Sequence, residues 1–551
     1  MSNAILIHPP ATFDFRTRPF FSGPAGRTQP YTHQFTMLPV GLVSLANLLH
    51  SEGIDARVVN LGSLMIEDPG LDAERYIHDL EADVYGISLH WIVHAHGALE
   101  TARLLKKHHP DARIVMGGIS ASEFWENVLD EHPYVDAVVV GPAEAAMVQL
   151  ARGRPLAKVP GIAHRKDGRL VRNESAKPPK DIDDLDYATL DLVEGRGFLD
   201  FDPEIGLKYW CIPTMRGCVY RCSTCGGSYE PFCRQFSVQR PLLRSPERIV
   251  DDLSRLADTD INGVFLFHDV RMGGKKYWKR LAELIRKERP ELDRITMEIF
   301  SPASREFLLT WSKLQRVGFT ISPETADEDV RRAQGRRYSN SALEATLRTC
   351  ESLHIYTGVY YTVGLGRQTR TTLASTWSSW ERLIGLNRGD RMYVKPDFGV
   401  QLIVDPGSPA FLDPSTYGYT LTAHTLEDHR TLLLDPSWKS WFGYRTDHFD
   451  SEDLAELALA SERRMTIAYR NAGVFSEWDA EERLQRTEDE SLLLVELDRI
   501  AERPEGDQDH LLHALVDEVG GHDLSGVTDA WRRRMRMGRF GRRLARAMGF
   551  K

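Results

Sequence analysis

Short runs rich in β-branched residues recur along the first 404 residues, and enough chain for a helix separates each from the next. Five fall at 4–7, 56–59, 84–88, 113–116 and 137–140, and six more at 210–215, 263–267, 294–300, 319–323, 356–363 and 398–404. Strand–helix alternation at this spacing implies parallel sheets with helices on their faces. The five early strands predict a flavodoxin-like, Rossmann-type α/β domain over 1–170. The six later ones predict a partial (β/α)6 barrel of the TIM type over 206–410. Between them, 171–205 is polar and rich in Asp and Pro, which reads as a linker. Asp405-Pro406-Gly407-Ser408-Pro409 breaks regular structure and opens a C-terminal region, 411–551, that is aromatic at first and mostly helical afterwards. Local signals agree. Val43, Leu45, Leu48 and Leu49 share one face of a helix over 40–50 that stops near Gly53, and Ser245-Pro246 caps a helix carrying Ile249, Leu253 and Leu256.

The chemistry concentrates in Met215-Arg216-Gly217-Cys218-Val219-Tyr220-Arg221-Cys222-Ser223-Thr224-Cys225-Gly226-Gly227, where three of the six cysteines lie within eight residues. Three thiolates in one turn suit a cubic iron–sulfur cluster whose fourth iron stays open to a small ligand. The two glycines after them admit a ligand close to the backbone. The alternative is structural zinc, which takes four N or S ligands and would recruit Cys211, Cys233 or a histidine.

The Cys-x3-Cys-x2-Cys spacing resembles the cluster loop of the radical S-adenosylmethionine (SAM) enzymes. That resemblance implies a [4Fe–4S] cluster on Cys218, Cys222 and Cys225, with SAM chelated at the open iron and lying along Gly226 and Gly227. It also implies SAM contacts for Glu324 and an adenine site near Gly364 and Gly366, all at strand ends of the barrel. Thr224 departs from the aromatic residue many members carry before the third cysteine. In the first domain, Ser88 after the third strand and Gly117-Gly118 after the fourth resemble the cobalamin-binding domain, in which these groups line the slot for the nucleotide tail. Pro39, Gly41 and Glu144 resemble the form this domain takes when fused to a radical SAM barrel. The Asp-x-His-x-x-Gly motif that supplies a histidine to cobalt in many cobalamin enzymes is absent. His90, His94 and His96 are candidates to replace it, set against the commoner role of a hydrogen-bonded structural histidine. His268-Asp269 ends the second barrel strand and reads equally as a site or as a cap. Cys350 reads as a buried helix residue.

Composition narrows the class. With 42% hydrophobic and 27% charged residues in 551, the chain is a globular protein of several domains. No stretch approaches 18 uninterrupted apolar residues, and six cysteines with none before Cys211 make no disulfide framework, so a cytoplasmic, non-spanning protein is expected. The net charge of −10 divides into +9 over 531–551, which holds eight Arg, one Lys and no acid, and −19 over the rest. The acidic body argues against nucleic acid as a partner. The basic tail interleaves Met537, Phe540, Leu544 and Met548 at helical spacing and fits an anionic membrane surface, a nucleic acid or the protein's own acidic body, the last being favoured.

The resemblance therefore implies a cobalamin-dependent radical SAM enzyme that methylates an unactivated carbon with two SAM per turnover, served by a one-electron reductant such as flavodoxin or ferredoxin. Its substrate is a small molecule, a lipid or a peptide. One alternative is a radical rearrangement or cyclisation with SAM only as radical source. Another, of a different class, is a zinc- or nucleotide-binding regulatory protein. Methylthio transfer is excluded, because it needs N-terminal cysteines for a second cluster.

Overall fold

The computed structural model describes residues 3–24, 39–196, 201–202, 207–314, 316–387 and 391–518. The basic tail 531–551 lies outside them. The first sheet contains β1 (Asn3–His8), β2 (Asp55–Asn60), β3 (Val84–Ser88), β4 (Arg113–Gly117), β5 (Ala137–Val139), β6 (Ile162–Lys166), β7 (Arg169–Arg172) and β8 (Val193–Glu194). Its order is β7-β6-β5-β4-β3-β1-β2-β8, and the central β2-β1-β3-β4-β5 run is parallel, the doubly wound order of a flavodoxin-like domain. β3 is buried at all five positions, as a strand covered on both faces must be.

The stretch expected as a linker is packed. Ile182, Leu185, Tyr187, Ala188 and Leu190 are buried, and β8 pairs with β2. Trp210 Nε1 donates to the Tyr187 carbonyl at 2.7 Å, and Ser245 N donates to Asp183 Oδ1 at 2.8 Å, so this acidic segment is fastened to the second domain. Its prolines and aspartates read as open chain, but their backbone and carboxylates are partners for the barrel.

The second sheet adds β9 (Phe201–Asp202), β10 (Leu207–Pro213), β13 (Gly263–Phe267), β14 (Arg294–Glu298), β15 (Val317–Glu324), β16 (Tyr356–Val363) and β17 (Val394–Val400), while β11 (Met215–Arg216) and β12 (Leu242–Leu243) form a small hairpin outside it. Six strands, β10 and β13 to β17, run parallel in order, and β9 lies antiparallel on the outer edge of β10. Among the described residues β17 and β10 are not paired, so the barrel is partial. The last strand runs from Val394 to Val400, not over 398–404, and includes Pro396; β17 is an edge strand of the sheet, where a missing N–H is tolerated. One helix begins as its sequence signalled: Ser245 Oγ accepts from Arg248 N at 3.1 Å and caps Pro246–Ala257. The C-terminal region is dominated by helices Ser451–Asn471, Glu477–Ala501 and Glu505–Glu518.

A buried charge pair ties these pieces together. Arg244 Nη2 lies 2.7 Å from Asp252 Oδ2, and both side chains are 0% exposed. The same guanidinium donates to the carbonyls of Pro213 and Leu185. Asp252→Ala would leave an uncompensated buried cation, and the expected loss is about 3–5 kcal/mol. A clear fall in the urea midpoint of the barrel's unfolding transition checks this.

Candidate active site and cofactor clefts

The cysteine loop leaves β11 through Gly217, at φ +97°. Cys218 Sγ accepts from Tyr220 N at 3.4 Å and Cys225 Sγ from Gly227 N at 3.3 Å. Burial pushes the Cys218 thiol up to about 11 and raises Cys222 and Cys225 as well, with neighbouring acids and thiols adding to it. Without metal, all three sulfurs are therefore protonated at neutral pH. Among the described residues the three thiols do not belong to any group whose ligand atoms all lie within 4.8 Å of one another. Cys211 sits within β10, and Cys233 points its thiol at the Val238 carbonyl from the following helix, Tyr229–Phe236. Cys350 is fully buried in helix Asn340–Ser352.

Three distant segments grip this loop. Asp405 Oδ2 accepts from Gly226 N at 3.0 Å, Asp405 N donates to the Thr224 carbonyl at 3.2 Å, and Ala410 N donates to the Ser223 carbonyl at 2.8 Å. Ser223 Oγ donates to Gln334 Oε1 at 2.5 Å. Gly335, at φ +87°, approaches so closely that a Cβ there would lie 2.1 Å from the Arg221 carbonyl oxygen. From the first domain, Ile119 Cγ2 is 3.6 Å from where a Cβ on Gly226 would stand. Gly227 has only Cys225 Sγ and Phe232 within 4 Å of that position.

Beside Cys222, at the barrel end, is a charged group. Glu324 ends β15 at φ +67°, accepting from Arg336 Nη2 and from Thr362 Oγ1, each at 2.6 Å. Arg336 Nε and Nη1 are buried donors with no partner among the described residues, and Ser228 Oγ is likewise unsatisfied. Glu298, the last residue of β14, is held up to about 7 by burial, with Glu324 and Asp269 adding and Arg336 opposing. Unsatisfied buried donors next to acids and thiols suit a ligand carrying both a carboxylate and an ammonium, as SAM does. Arg336, Glu298 and Asp405 were not singled out from the sequence. The Gly335-Arg336-Arg337 turn was the available signal for the first; the others are recognisable only through their neighbours in the fold.

The remaining expected residues fall as follows. Gly364 (φ +99°) and Gly366 are closed off in the Cβ direction: a Cβ would meet Tyr444 Oη at 2.5 Å and the Tyr417 carbonyl at 2.1 Å, respectively. Asp269 is a structural cap, binding Arg271 Nε at 2.8 Å and Phe300 N at 3.0 Å. His268, at φ +74°, is pushed down to about 4 by burial and is neutral. In the first domain Ser88 pairs with Gly117 at adjacent strand ends. Gly118 has φ +121°, and a Cβ there would strike the His90 backbone at 2.6 Å. Pro39 precedes helix Val40–Ser51, and no atom of the described residues lies within 4 Å of a Cβ placed on Gly41 in its first turn. Glu144 reaches the cysteine loop, where its Oε1 lies 2.5 Å from Arg216 Nη2. Its Oε2 is buried without a partner among the described residues. His96 Nδ1 accepts from Phe13 N at 3.1 Å, and the His94 ring packs edge-on against His8 at 4.7 Å. Burial pushes His90 and His96 down to about 4 and His94 well below its usual value, so all three are neutral.

Asp405 gives a signed expectation. Burial raises its carboxyl to about 6, above the ordinary value near 4, against the Gly226 hydrogen bond. The folded chain therefore loses stability as pH rises from about 4 through 6, and the loss persists above. Asp405→Asn keeps an acceptor for Gly226 N. In the cluster-free chain it should raise the thermal midpoint at pH 7–8, with a difference that vanishes near pH 4; an unchanged midpoint at pH 8 contradicts the reading.

Comparison with known proteins agrees with this geometry. A model for the B12 binding domain matches residues 32–151, and one for the radical SAM superfamily matches 212–376. The anaerobic magnesium-protoporphyrin IX monomethyl ester cyclase of Cereibacter sphaeroides is 25% identical over 52% of this chain and 47% of its own length. The cobalamin-dependent radical SAM methyltransferase TokK of Streptomyces tokunonensis is 26% identical over 50% of this chain and 42% of its own. The chain thus spans less than half the length of either relative. The fold is similar to that of the radical SAM methyltransferase TsrM of Kitasatospora setae with cobalamin and a [4Fe–4S] cluster bound, with a TM-score of 0.60, 16% identity and coverage of 89% of this chain and 100% of that one. The chain thus carries a B12-binding domain and a radical SAM domain, with a three-thiol loop where the two meet, and this pair of domains implies a [4Fe–4S] cluster, SAM and cobalamin as cofactors.

Proposed function

We propose that the chain methylates an unactivated carbon of a small-molecule substrate and consumes two SAM per turnover. The supporting observation is the contact between the two cofactor regions: Ile119, next to the Gly117-Gly118 pair, packs on Gly226, and Glu144 reaches Arg216 two residues before Cys218. When bound, the cluster with SAM supplies a radical and cobalamin a transferable methyl group. Cys218, Cys222 and Cys225 would hold the cluster, Ser88, Gly117 and Gly118 the nucleotide tail of cobalamin, and Gly226, Gly227 and Glu324 the SAM. The Arg336 guanidinium, paired on one side with Glu324, keeps Nε and Nη1 for the SAM carboxylate. Glu298, half-buried at the end of β14, gives up or takes a proton near neutral pH. No helix among the described residues is long and apolar enough to cross a membrane, and the six free thiols suit a reducing, cytoplasmic setting with a ferredoxin- or flavodoxin-like reductant.

Similarity to a cyclase supports a second reading, a radical rearrangement or cyclisation that uses SAM only as radical source. Methyl-deuterated SAM separates the two. Methylation requires S-adenosylhomocysteine, 5′-deoxyadenosine and a labelled product together; 5′-deoxyadenosine and product with neither of the others overturns it. A second expectation concerns the ligands. Replacing Cys218, Cys222 and Cys225 by Ala should abolish anaerobic iron and sulfide uptake and SAM cleavage, while Cys350→Ala leaves both intact; wild-type iron content in the triple variant refutes the assignment.

A further inference from the structure

The contact between the first domain and the cysteine loop converges on one carboxylate. Gly117 and Gly118 end β4 and are followed at once by the short helix Ile119–Glu123. The carboxylate at the end of that helix, Glu123 Oε2, accepts from Arg234 Nη2 and from Gln235 Nε2, each at 2.7 Å. Arg234 and Gln235 sit in the last turn of helix Tyr229–Phe236, which directly follows Gly226 and Gly227. Arg234 also donates to the Gly407 carbonyl at 3.1 Å, in the segment whose Asp405 holds Gly226. Gly141, at φ +94°, comes so near that a Cβ there would lie 2.6 Å from the Gln235 carbonyl oxygen.

Helices of five and eight residues are too short to be stable alone and take their order from what they touch. Here each takes it in part from the other. We infer that Glu123 is a positioning residue, acting through Arg234 and Gln235, which makes the nucleotide-tail cleft and the SAM-binding glycines order each other, so that cobalamin strengthens SAM binding and SAM strengthens cobalamin binding. The inference rests on the functional reading above. A ligand that fixes the end of β4 fixes helix Ile119–Glu123, and through the shared carboxylate it fixes the helix after Gly227. The ordering cost is then met once for two ligands, which is positive coupling without a large structural change. Thermodynamic linkage requires the effect to be equal in both directions.

The test uses the anaerobically reconstituted full chain. SAM affinity is measured with and without hydroxocobalamin, and hydrogen exchange over 225–236 is followed in the same samples. Wild type should bind SAM at least about fivefold tighter with cobalamin present and show slowed exchange over 225–236 on adding cobalamin alone. In Glu123→Ala both effects should disappear and each ligand alone should bind no more tightly than to wild type, while cluster content stays at wild-type level. Arg234→Ala, at a more exposed position, should do the same, and the double variant should be no worse than either single one. If Glu123→Ala does not fold, Arg234→Ala carries the test. A wild-type chain that takes up no cobalamin overturns the functional reading. A wild-type chain that binds both ligands without mutual strengthening, or variants that keep the strengthening, overturn the bridge and leave the functional reading in place.

Discussion

The cysteine loop has no hydrogen-bonded ladder of its own to fix three thiols in space, so its geometry is borrowed. Backbone groups of Ser223, Thr224 and Gly226 are engaged by the segment after β17 and by Gln334, and Gly335 presses on Arg221 with no room for a side chain. A buried N–H or carbonyl left without a partner costs about 1–3 kcal/mol, so each of these contacts removes an alternative conformation. The other features of the site lie around this clamp, because the segments that supply it also carry the charged residues.

Both sheets turn their carboxyl ends toward the same place, as ligand-binding α/β sheets and barrels do. β4 arrives with Ile119 and Glu123, β5 with Gly141 and Glu144, β15 with Glu324, and β17 leads to Asp405. Chains from four strand ends meet at one loop, and two ion pairs, Glu144–Arg216 and Glu123–Arg234, stitch the first domain to it. The first pair is more enclosed, with side chains 16% and 19% exposed, and so is less screened than an ordinary surface pair.

The sequence made the scaffold and the thiols legible, and the clamp much less so. The eleven strands expected from the sequence all have counterparts, because β-branched runs alternate with helical spacing, while short strands such as β6 to β9 carry too little pattern to be read; the last expected strand lies four residues earlier than its reading and contains Pro396, which an edge strand accepts. The linker was misread because Asp183 and Tyr187 act through single hydrogen bonds to distant residues, which leave no local pattern. Glu144 was visible as a notable residue, yet nothing in its neighbourhood reveals Arg216, 72 residues on, as its partner. Asp405 reads as the opening of a Pro-Gly break. That it is a buried acceptor for Gly226 depends on a pairing across 179 residues.

The charge arrangement explains why so many acids tolerate one another here. Asp269 is neutralised by Arg271 and Glu324 by Arg336, which leaves Glu298 and Asp405 as the acids without an ion-pair partner among the described residues. Burial and the neighbouring acids raise the proton affinity of Glu298 until it is half-protonated near pH 7. With three protonated thiols and two closed ion pairs, Glu298 and Asp405 carry the unbalanced negative charge beside the loop. Loading three thiolates with a metal cluster changes that balance, and Arg336, with two buried donors still open, is the residue placed to meet the added negative charge. Among the described residues the chain thus keeps uncommitted cationic donors beside Cys222, where an anionic ligand would otherwise be hardest to bury.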